Sequence, residues 1–386
     1  MTAEQQGETM TLPSSHDKLL FTPGPLTTSL SVKAAMLHDA GSWHDEFNDV
    51  VTSIRSRLLA VAGTSVEAGF ECVLMQGSGT FGVESVIGSV IPPQGRVLIL
   101  TNGAYGDRIV AMAKVLKLDH CVLRTAEDVV PSAGEVDRML QEDAAITHVV
   151  VVHCETTTGI LNPLESIGAV VKRHGRRLIV DAMSSFGAIP VDLEAVGVDF
   201  LISSANKCIE GVPGFSFVLA RREPLVASEG WARSLSLDLL GQWKGFEKNR
   251  QFRYTPPTHA LLAFDQALKE LEQEGGIQAR GARYKTNHAV LMEGIAQLGL
   301  KSFLKPEVQS YIITAFHCPK DAAFEFRAFY NQLSDRGMII YPGKLTQVDT
   351  FRIGNIGRLF PSDIEHLLAA LEGGLRALGC NLPFGS

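Results

Sequence analysis

Three short segments of the sequence carry side chains with recognisable chemistry, and the first is a possible anion-binding turn. Gly77-Ser78-Gly79-Thr80 combines hydroxyls and small residues directly before a helix-like run. Backbone N–H groups at the start of a helix bind anions without any formal charge. The turn lacks the lysine of a P-loop and the spacing of a dinucleotide fingerprint. Taken alone, such a turn is more often a tight loop without function.

An acidic residue and a lysine follow later strand-like runs. Asp181 ends the run in LIVDAMSSFG, and Lys207 follows the next run, in ISSANKCIEGVPGF. Carboxylates at the carboxyl ends of parallel strands often face ligand crevices, although a helix cap would also explain Asp181. A surface position is the alternative for Lys207, but the apolar, glycine-containing run after it argues against one. A lysine with few carboxylates nearby can have a lowered pKa and act as an amine nucleophile.

Together the three segments match the needs of pyridoxal phosphate. Its phosphate requires N–H and hydroxyl donors, its pyridine nitrogen an acidic partner, and its aldehyde an amine that forms a Schiff base. The turn, Asp181 and Lys207 supply these groups in this order within one region. We therefore expect a pyridoxal phosphate site, because the combination is far more specific than any of its parts.

Apolar runs that alternate with helical patterns indicate the framework that must hold these residues. Short continuous apolar runs are typical of strands covered on both faces. Their alternation with helices predicts an α/β fold with a mostly parallel, doubly wound sheet. The predicted strands are Val97–Leu100, His148–His153, Leu178–Asp181, Phe200–Ser203 and Phe215–Ala220. The predicted helices are Gly82–Ile91, Arg108–Lys117, Glu135–Gln141 and Glu165–His174.

The pattern changes after about residue 256, which predicts a second, smaller α+β domain. An amphipathic helix over 260–274 ends at a Gly-Gly pair, and a second helix covers about 278–298. Shorter strand-like pieces precede a last helix at about 362–378. We predict an N-terminal tail at 1–18, a large cofactor-binding domain at 19–275 whose N-terminal segment lines the active site, and a small C-terminal domain at 276–386.

The composition argues against several classes of protein. The 42 Asp and Glu residues outnumber the 35 Lys and Arg residues, so the net charge is −7. A mildly acidic chain lacks the basic surface expected of a nucleic-acid-binding or membrane-binding protein. We expect neither a transmembrane helix nor a secretory signal, because no apolar run is long enough. Six scattered cysteines without a CxxC pair predict reduced thiols in a cytoplasmic protein, with no disulfide scaffold and no metal site.

The chain resembles the class V aminotransferases of fold type I over about residues 19–375, and within them the 2-aminoethylphosphonate–pyruvate transaminases. SSANKCIEGVPGF around the lysine is the most discriminating match, because related alanine– or serine–glyoxylate aminotransferases differ there. The other matching segments are LLFTPGPLTTS, MQGSGTFGVESVI, TNGAYGDR, HCETTTGILNPL, LIVDAMSSFGAIPVDL, YTPPTH and FRIGNIGRL. The resemblance implies a PLP-dependent transferase fold of the aspartate aminotransferase type, with a large domain and a smaller C-terminal one.

The resemblance also implies roles for the matching residues. Lys207 carries the Schiff base and, once free, moves the proton between the substrate carbon and the cofactor, while Asp181 pairs with the pyridinium nitrogen. The residues implied in cofactor binding are Ser78, Gly79, Thr80 and Asn206 at the phosphate, Tyr105 and Met183 on the two ring faces, Thr156 at the phenolic oxygen, and Thr255 at the phosphate of the neighbouring subunit.

Three further positions are implied in substrate binding. Arg352, in TFRIGNIG, matches the arginine that binds the substrate carboxylate, and its planar guanidinium suits a carboxylate or a phosphonate. Gly24 and Pro25 match the N-terminal loop that lines the pocket. The implied reaction transfers the amine of 2-aminoethylphosphonate to pyruvate and gives phosphonoacetaldehyde and alanine. The implied assembly is a homodimer with its active sites at the subunit interface.

Three alternatives stay open at this point. Another class V aminotransferase, acting on alanine or serine with glyoxylate, differs only in its substrates. A desulfurase or lyase of the same fold needs a reactive cysteine on a mobile loop, and Cys318 in AFHCPKD matches such a loop poorly. A non-enzymatic or nucleotide-binding α/β protein leaves Asp181 and Lys207 without a role.

Overall fold

The computed structural model describes residues 17–345 and 347–384. Most of the predicted tail at 1–18 therefore lies outside the described residues. The strands are β1 (Leu19–Leu20), β2 (Phe70–Gln76), β3 (Arg96–Thr101), β4 (Asp119–Arg124), β5 (Ile146–Val152), β6 (Cys154–Glu155), β7 (Ile160–Leu161), β8 (Arg177–Asp181), β9 (Phe200–Ser204), β10 (Phe215–Arg221), β11 (Ile313–His317), β12 (Met338–Ile339), β13 (Tyr341–Pro342) and β14 (Thr350–Gly354).

The helices surround these strands. They are α1 (Leu30–Ala34), α2 (Asp45–Val61), α3 (Gly79–Val90), α4 (Ala104–Val115), α5 (Ala133–Glu142), α6 (Leu164–Arg173), α7 (Leu193–Val196), α8 (Arg222–Ala227), α9 (Leu239–Asn249), α10 (Thr258–Glu274), α11 (Gly276–Gln297), α12 (Phe326–Asp335) and α13 (Pro361–Ala377). Helix α10 ends where the sequence predicts, because Gly275 adopts the left-handed conformation that stops a helix.

A seven-stranded sheet with the order β2-β10-β9-β8-β5-β3-β4 forms the large core. Strand β10 is antiparallel to both of its neighbours, and the remaining pairs, from β9 to β4, are parallel. Strands β8 and β9 are almost wholly buried, as expected of a sheet covered by helices on both faces. The predicted α/β class with a mostly parallel sheet is confirmed.

The register of the parallel strands brings their carboxyl ends to one edge of the sheet. Val152 at the end of β5 lies opposite Asp181 at the end of β8, and Asp181 lies opposite Ile202 in β9. Strand β2 points in the same direction, because β10 is antiparallel to both β2 and β9. The segments that follow β2, β3, β5, β8 and β9 therefore start from the same edge, where doubly wound sheets bind their ligands.

A second apolar core lies in the C-terminal part of the chain. An antiparallel sheet with the order β11-β14-β13 packs with α11, α12 and α13 around residues such as Phe316, Phe329 and Phe351. Phe21 belongs to this core, and β1 pairs with β12, so the chain passes through the second core before it enters the first. The predicted domain boundaries stay a prediction.

Two absences apply to the described part of the chain. None of its helices is long and apolar enough to cross a membrane. None of its His, Cys, Asp and Glu side chains cluster as a metal site would require. All six cysteines lie in this part and are free thiols.

Candidate active site

A cavity of about 180 Å³ opens at the carboxyl edge of the large sheet. It brings together eight of the residues expected from the sequence, although they come from four separate segments of the chain. These residues are Ser78, Gly79, Thr80, Tyr105, Asp181, Met183, Asn206 and Lys207. The cavity is further lined by Val83, Arg108, Ile109, Met112 and Ser204.

The turn after β2 forms one wall of this cavity. Ser78 is the N-cap of α3, and no side chain caps the helix there, so the first amides of α3 are available to an anion. A Cβ atom on Gly79 would lie 2.3 Å from the Met183 sulfur, which explains why only glycine fits. Arg108 donates from Nη1 to the Thr80 hydroxyl at 3.1 Å and adds a positive charge beside the turn.

Asp181 lies at the end of β8 and is only 6% exposed. Its Oδ1 accepts a hydrogen bond from the Met183 amide at 2.9 Å. Burial raises the pKa of this carboxyl to about 6, even though the hydrogen bond from the Met183 amide and the positive charge of Lys207 both lower it. A buried carboxylate without an ion-pair partner among the described residues is suited to bind a protonated ring nitrogen.

Lys207 lies in the loop after β9, and its amine faces the N-terminal segment. Nζ donates to the Pro23 carbonyl at 2.6 Å. Burial lowers the pKa of the Lys207 amine, which favours the neutral, nucleophilic form. A Cβ atom on Gly24 would lie 2.9 Å from Nζ and 2.8 Å from the Asn206 carbonyl oxygen, and Gly24 has a left-handed φ of +117°. Glycine is therefore required where this segment passes the lysine.

The next residue, Pro25, belongs to the same turn. Its carbonyl accepts a hydrogen bond from the Thr22 hydroxyl at 2.5 Å, which closes the turn around Gly24. The N-terminal segment thus reaches the lysine from the second core, and the segments carrying Gly24 and Lys207 are in direct contact.

Arg352, in β14, is 2% exposed and held in a fixed orientation. Its Nη1 donates to the Thr156 carbonyl at 2.8 Å, and its Nε donates to the Pro342 carbonyl at 3.0 Å. The phenol of Tyr105 lies near this guanidinium and stabilises its charge. Burial lowers the pKa of Arg352, although the nearby side chains of Tyr105, Tyr341 and Glu155 oppose this shift. Arg352 is therefore a buried, positioned cation next to the cavity rather than a surface residue at the end of a strand.

Tyr105 connects Arg352 with the cavity. Burial raises the pKa of its phenol, but the hydrogen bond with the Thr156 side chain and the positive charges of Lys207, Lys344 and Arg352 outweigh this effect, so the pKa is lowered overall. The Arg108 guanidinium lies 4.8 Å from the centre of the Tyr105 ring. Thr156 does not line the cavity itself and reaches it through Tyr105.

Thr255 lies elsewhere, at an exposed position of the loop over residues 251–256. Its carbonyl accepts a hydrogen bond from Gln76 Nε2 at 2.6 Å, which holds the loop near the end of β2. The loop lines a separate surface depression together with Trp43. Two residues expected to bind the cofactor do not line the cavity: Thr156 lies beside it, next to Tyr105, whereas Thr255 lies away from the cavity of its own chain.

Glu155 was not predicted from the sequence; it ends β6, is fully buried, and its carboxylate faces the start of α4. Its carboxylate accepts hydrogen bonds from the amides of Tyr105 and Gly106 at 3.2 and 3.1 Å and from the Thr157 hydroxyl at 2.6 Å. A carboxylate at a helix N-terminus stabilises the first turn, and this turn carries Tyr105. Its position directly after the strand-like run, in HCETTTG, was the signal that could have found it.

The geometry fits pyridoxal phosphate. The uncapped start of α3 and the hydroxyls of Ser78 and Thr80 suit the phosphate, the unpaired carboxylate of Asp181 suits the ring nitrogen, and the lowered pKa of Lys207 suits the aldehyde. Gly79 and Gly24 leave space that a Cβ atom would fill on both sides of this set. The residues of one cavity thus meet each requirement of the cofactor.

Comparisons with known proteins agree with this geometry. The family profile described as "Aminotransferase class-V" matches residues 29–345. The 2-aminoethylphosphonate–pyruvate transaminase of Phocaeicola vulgatus is 52% identical over 356 residues, which cover 92% of this chain and 98% of the relative. The enzyme with the same name from Vibrio vulnificus is 51% identical over 359 residues, covering 92% of this chain and 97% of the relative.

Among solved structures, the alanine–glyoxylate aminotransferase of Nostoc sp. superposes with a TM-score of 0.85 at 27% identity and covers 97% of this chain and 100% of its own. This structure supports the fold, while the much higher identity to the two transaminases favours them over an alanine–glyoxylate enzyme. The chain therefore belongs to the pyridoxal-phosphate-dependent class V aminotransferases and, within that family, to the group of the 2-aminoethylphosphonate–pyruvate transaminases.

Proposed function

We propose that the protein transfers the amino group of 2-aminoethylphosphonate to pyruvate and thereby forms phosphonoacetaldehyde and alanine. The observation that carries this proposal is the buried Arg352 beside the cavity of Lys207 and Asp181, in a chain that is 52% identical to an enzyme named for these two substrates. A guanidinium binds carboxylate and phosphonate oxygens alike, so one pocket serves both half-reactions.

The cofactor supplies an aldehyde that takes up an amine and a ring that accepts an electron pair. Lys207 holds or moves a proton at the substrate carbon that carries the amine, because its lowered pKa makes the neutral amine available as a base. Asp181, ionised above pH 6 or so, keeps a proton on the ring nitrogen. Arg352 binds the anionic end of the substrate and thereby orients it. The hydrogen bonds from Arg352 to the carbonyls of Thr156 and Pro342 hold the guanidinium in one orientation.

The visible absorption of the bound cofactor tests this proposal. We expect 2-aminoethylphosphonate alone to bleach the absorption band of the cofactor bound at Lys207. Pyruvate should then restore the band, since the two substrates react in separate half-reactions. Arg352→Ala should weaken both halves, because both anions depend on this cation. If the absorption band is unchanged by the phosphonate but changes with alanine and glyoxylate, the substrate assignment is wrong. If Arg352→Ala loses only the turnover of pyruvate, Arg352 does not bind both anions.

Two further proposals concern the setting of the enzyme. A homodimer with sites at the subunit interface is supported by Thr255, which lies away from its own cavity, and by large exposed apolar side chains near it, such as Trp43 at 83% exposure. The implied role of Thr255 at the partner's phosphate accounts for this placement. A cytoplasmic location is supported by the six free thiols, which are typical of a reducing compartment.

A further inference from the structure

A second cation, besides Arg352, lies near Tyr105 at the edge of the cavity. Lys344 is exposed, and its Nζ lies 5.1 Å from the centre of the Tyr105 ring. It follows Pro342 closely in the chain, and the Pro342 carbonyl accepts the hydrogen bond from Arg352 Nε. The positive charges of Lys344 and Arg352 both act on the Tyr105 phenol.

The charge of Lys344 lacks a carboxylate partner in the part of the chain that the structure describes. Within residues 17–345 and 347–384, Lys344 makes no ion pair with a carboxylate. The opposite is true of many surface cations of this chain, for example Arg250, which pairs with Asp45 and Asp49. Lys207 and Arg108 also lie close to Tyr105. The Lys207 amine is needed for the cofactor and Arg108 donates to the Thr80 hydroxyl beside the proposed phosphate turn, which leaves Arg352 and Lys344 for the substrate.

The two proposed substrates differ in charge at their anionic ends. A phosphonate, like a phosphate monoester, carries close to two negative charges at neutral pH, whereas a carboxylate carries one. The single guanidinium of Arg352 can balance the carboxylate but only half of the phosphonate charge. An additional cation at the rim therefore favours the doubly charged substrate over the singly charged one.

We infer that Lys344 is a specificity-determining residue that, together with Arg352, binds the doubly charged phosphonate of the amino donor and contributes little to the carboxylate of pyruvate. This inference rests on the proposed function. In this division of roles, Lys344 favours the doubly charged phosphonate, while Arg352 binds both the phosphonate and the carboxylate in the same orientation.

Half-reactions of the holoenzyme test this role. The apparent dissociation constant of 2-aminoethylphosphonate is measured by bleaching of the cofactor band, and those of alanine and pyruvate by the corresponding spectral changes. We expect Lys344→Met to weaken the phosphonate on the order of tenfold and the two carboxylates by less than about twofold. Lys344→Arg should restore phosphonate binding, because it keeps the charge. Lys114→Met, at the other end of α4, removes the same charge far from Tyr105 and should change none of the constants.

Taurine separates charge from shape, since its sulfonate has the tetrahedral shape of a phosphonate and a single negative charge. Competition by taurine should be nearly the same in wild type and Lys344→Met. Equal losses for phosphonate, taurine and alanine would overturn the inference, as would unchanged phosphonate binding. A wild-type protein that ignores 2-aminoethylphosphonate but reacts with other amino donors would instead contradict the proposed function, and the inference would fall with it.

Discussion

At the scale of single residues, Asp181 is buried and has no ion-pair partner among the described residues, and we expect this combination to make cofactor binding depend on pH. The pKa of Asp181 is raised to about 6 by burial, so the group is protonated below pH 6 and ionised above it. Only the ionised form attracts a protonated ring nitrogen. We expect the affinity of the apoprotein for pyridoxal phosphate to fall as the pH drops from 8 through about 6.

Asp181→Asn removes the ionisable group without changing its shape, and fluorescence titration with pyridoxal phosphate at several pH values measures the effect. The variant should bind pyridoxal phosphate more weakly than wild type above pH 6 and lose the part of the pH dependence that comes from Asp181. The part that comes from the ionisable groups of the cofactor itself should remain. Turnover should drop about a hundredfold or more, as for other preorganised groups that stabilise charge in an active site. Asp49→Asn, on the exposed side of α2, serves as the control. Identical pH profiles for wild type and Asp181→Asn would contradict the assignment.

At the scale of elements, a buried ion network links the Lys207 loop to α11. Glu210, 2% exposed, accepts hydrogen bonds from Tyr284 at 2.5 Å and from Arg283 at 2.7 Å. Arg280, fully buried, donates to the Cys208 carbonyl at 2.6 Å, directly after the lysine. Arg283 also donates to the carbonyls of Gly357 and Leu359, in the segment that follows β14 and its Arg352. The network thus connects the segment that carries Lys207 with the segment that carries Arg352.

Removal of the Glu210 charge should be costly, because Arg280 and Arg283 would then be buried without full compensation. We expect Glu210→Gln to lower the free energy of unfolding by about 3 kcal/mol, the cost typical of breaking a buried ion pair. Glu247→Gln, whose carboxylate is half exposed and pairs with Arg55, should cost less than about 1 kcal/mol. Urea unfolding of both variants measures the difference. Similar unfolding midpoints for the two would show that the network does not stabilise this region.

The elements also show how far the sequence alone could lead. The apolar runs correctly predicted β3, β5, β8, β9 and β10, and with them the positions of Asp181 and Lys207 at strand ends. Strand β2 was missed because Glu71 interrupts its apolar run, and β4 because it is a half-exposed edge strand with polar ends. The antiparallel direction of β10 could not be predicted, since a buried run reads the same in either direction. Glu210 and Lys344 were missed because their partners lie far away in the sequence.

At the scale of the whole molecule, several large apolar side chains near Thr255 are exposed. Trp43 and Tyr254 are 83% and 42% exposed and line the same depression as Thr255. Leu235, which is 74% exposed, lies beside this loop, because its carbonyl accepts a hydrogen bond from Arg253. Apolar side chains of this size cluster on a soluble surface mainly where another molecule covers them. The proposed homodimer would bury them and bring Thr255 to the second active site.

Trp43→Glu should therefore weaken the dimer and the cofactor site together. A buried aromatic anchor contributes about 2 kcal/mol or more to an interface, so the dissociation constant of the dimer should rise at least about thirtyfold. Sedimentation equilibrium measures this change. The affinity for pyridoxal phosphate should fall with dimer dissociation and recover at high protein concentration, because in the proposed dimer Thr255 completes the cofactor site of the neighbouring subunit. Val115→Glu places the same charge on an exposed apolar position at the far end of α4 and should leave both quantities unchanged. A Trp43→Glu protein that is monomeric yet binds the cofactor as tightly as wild type would show that each active site is complete within one chain.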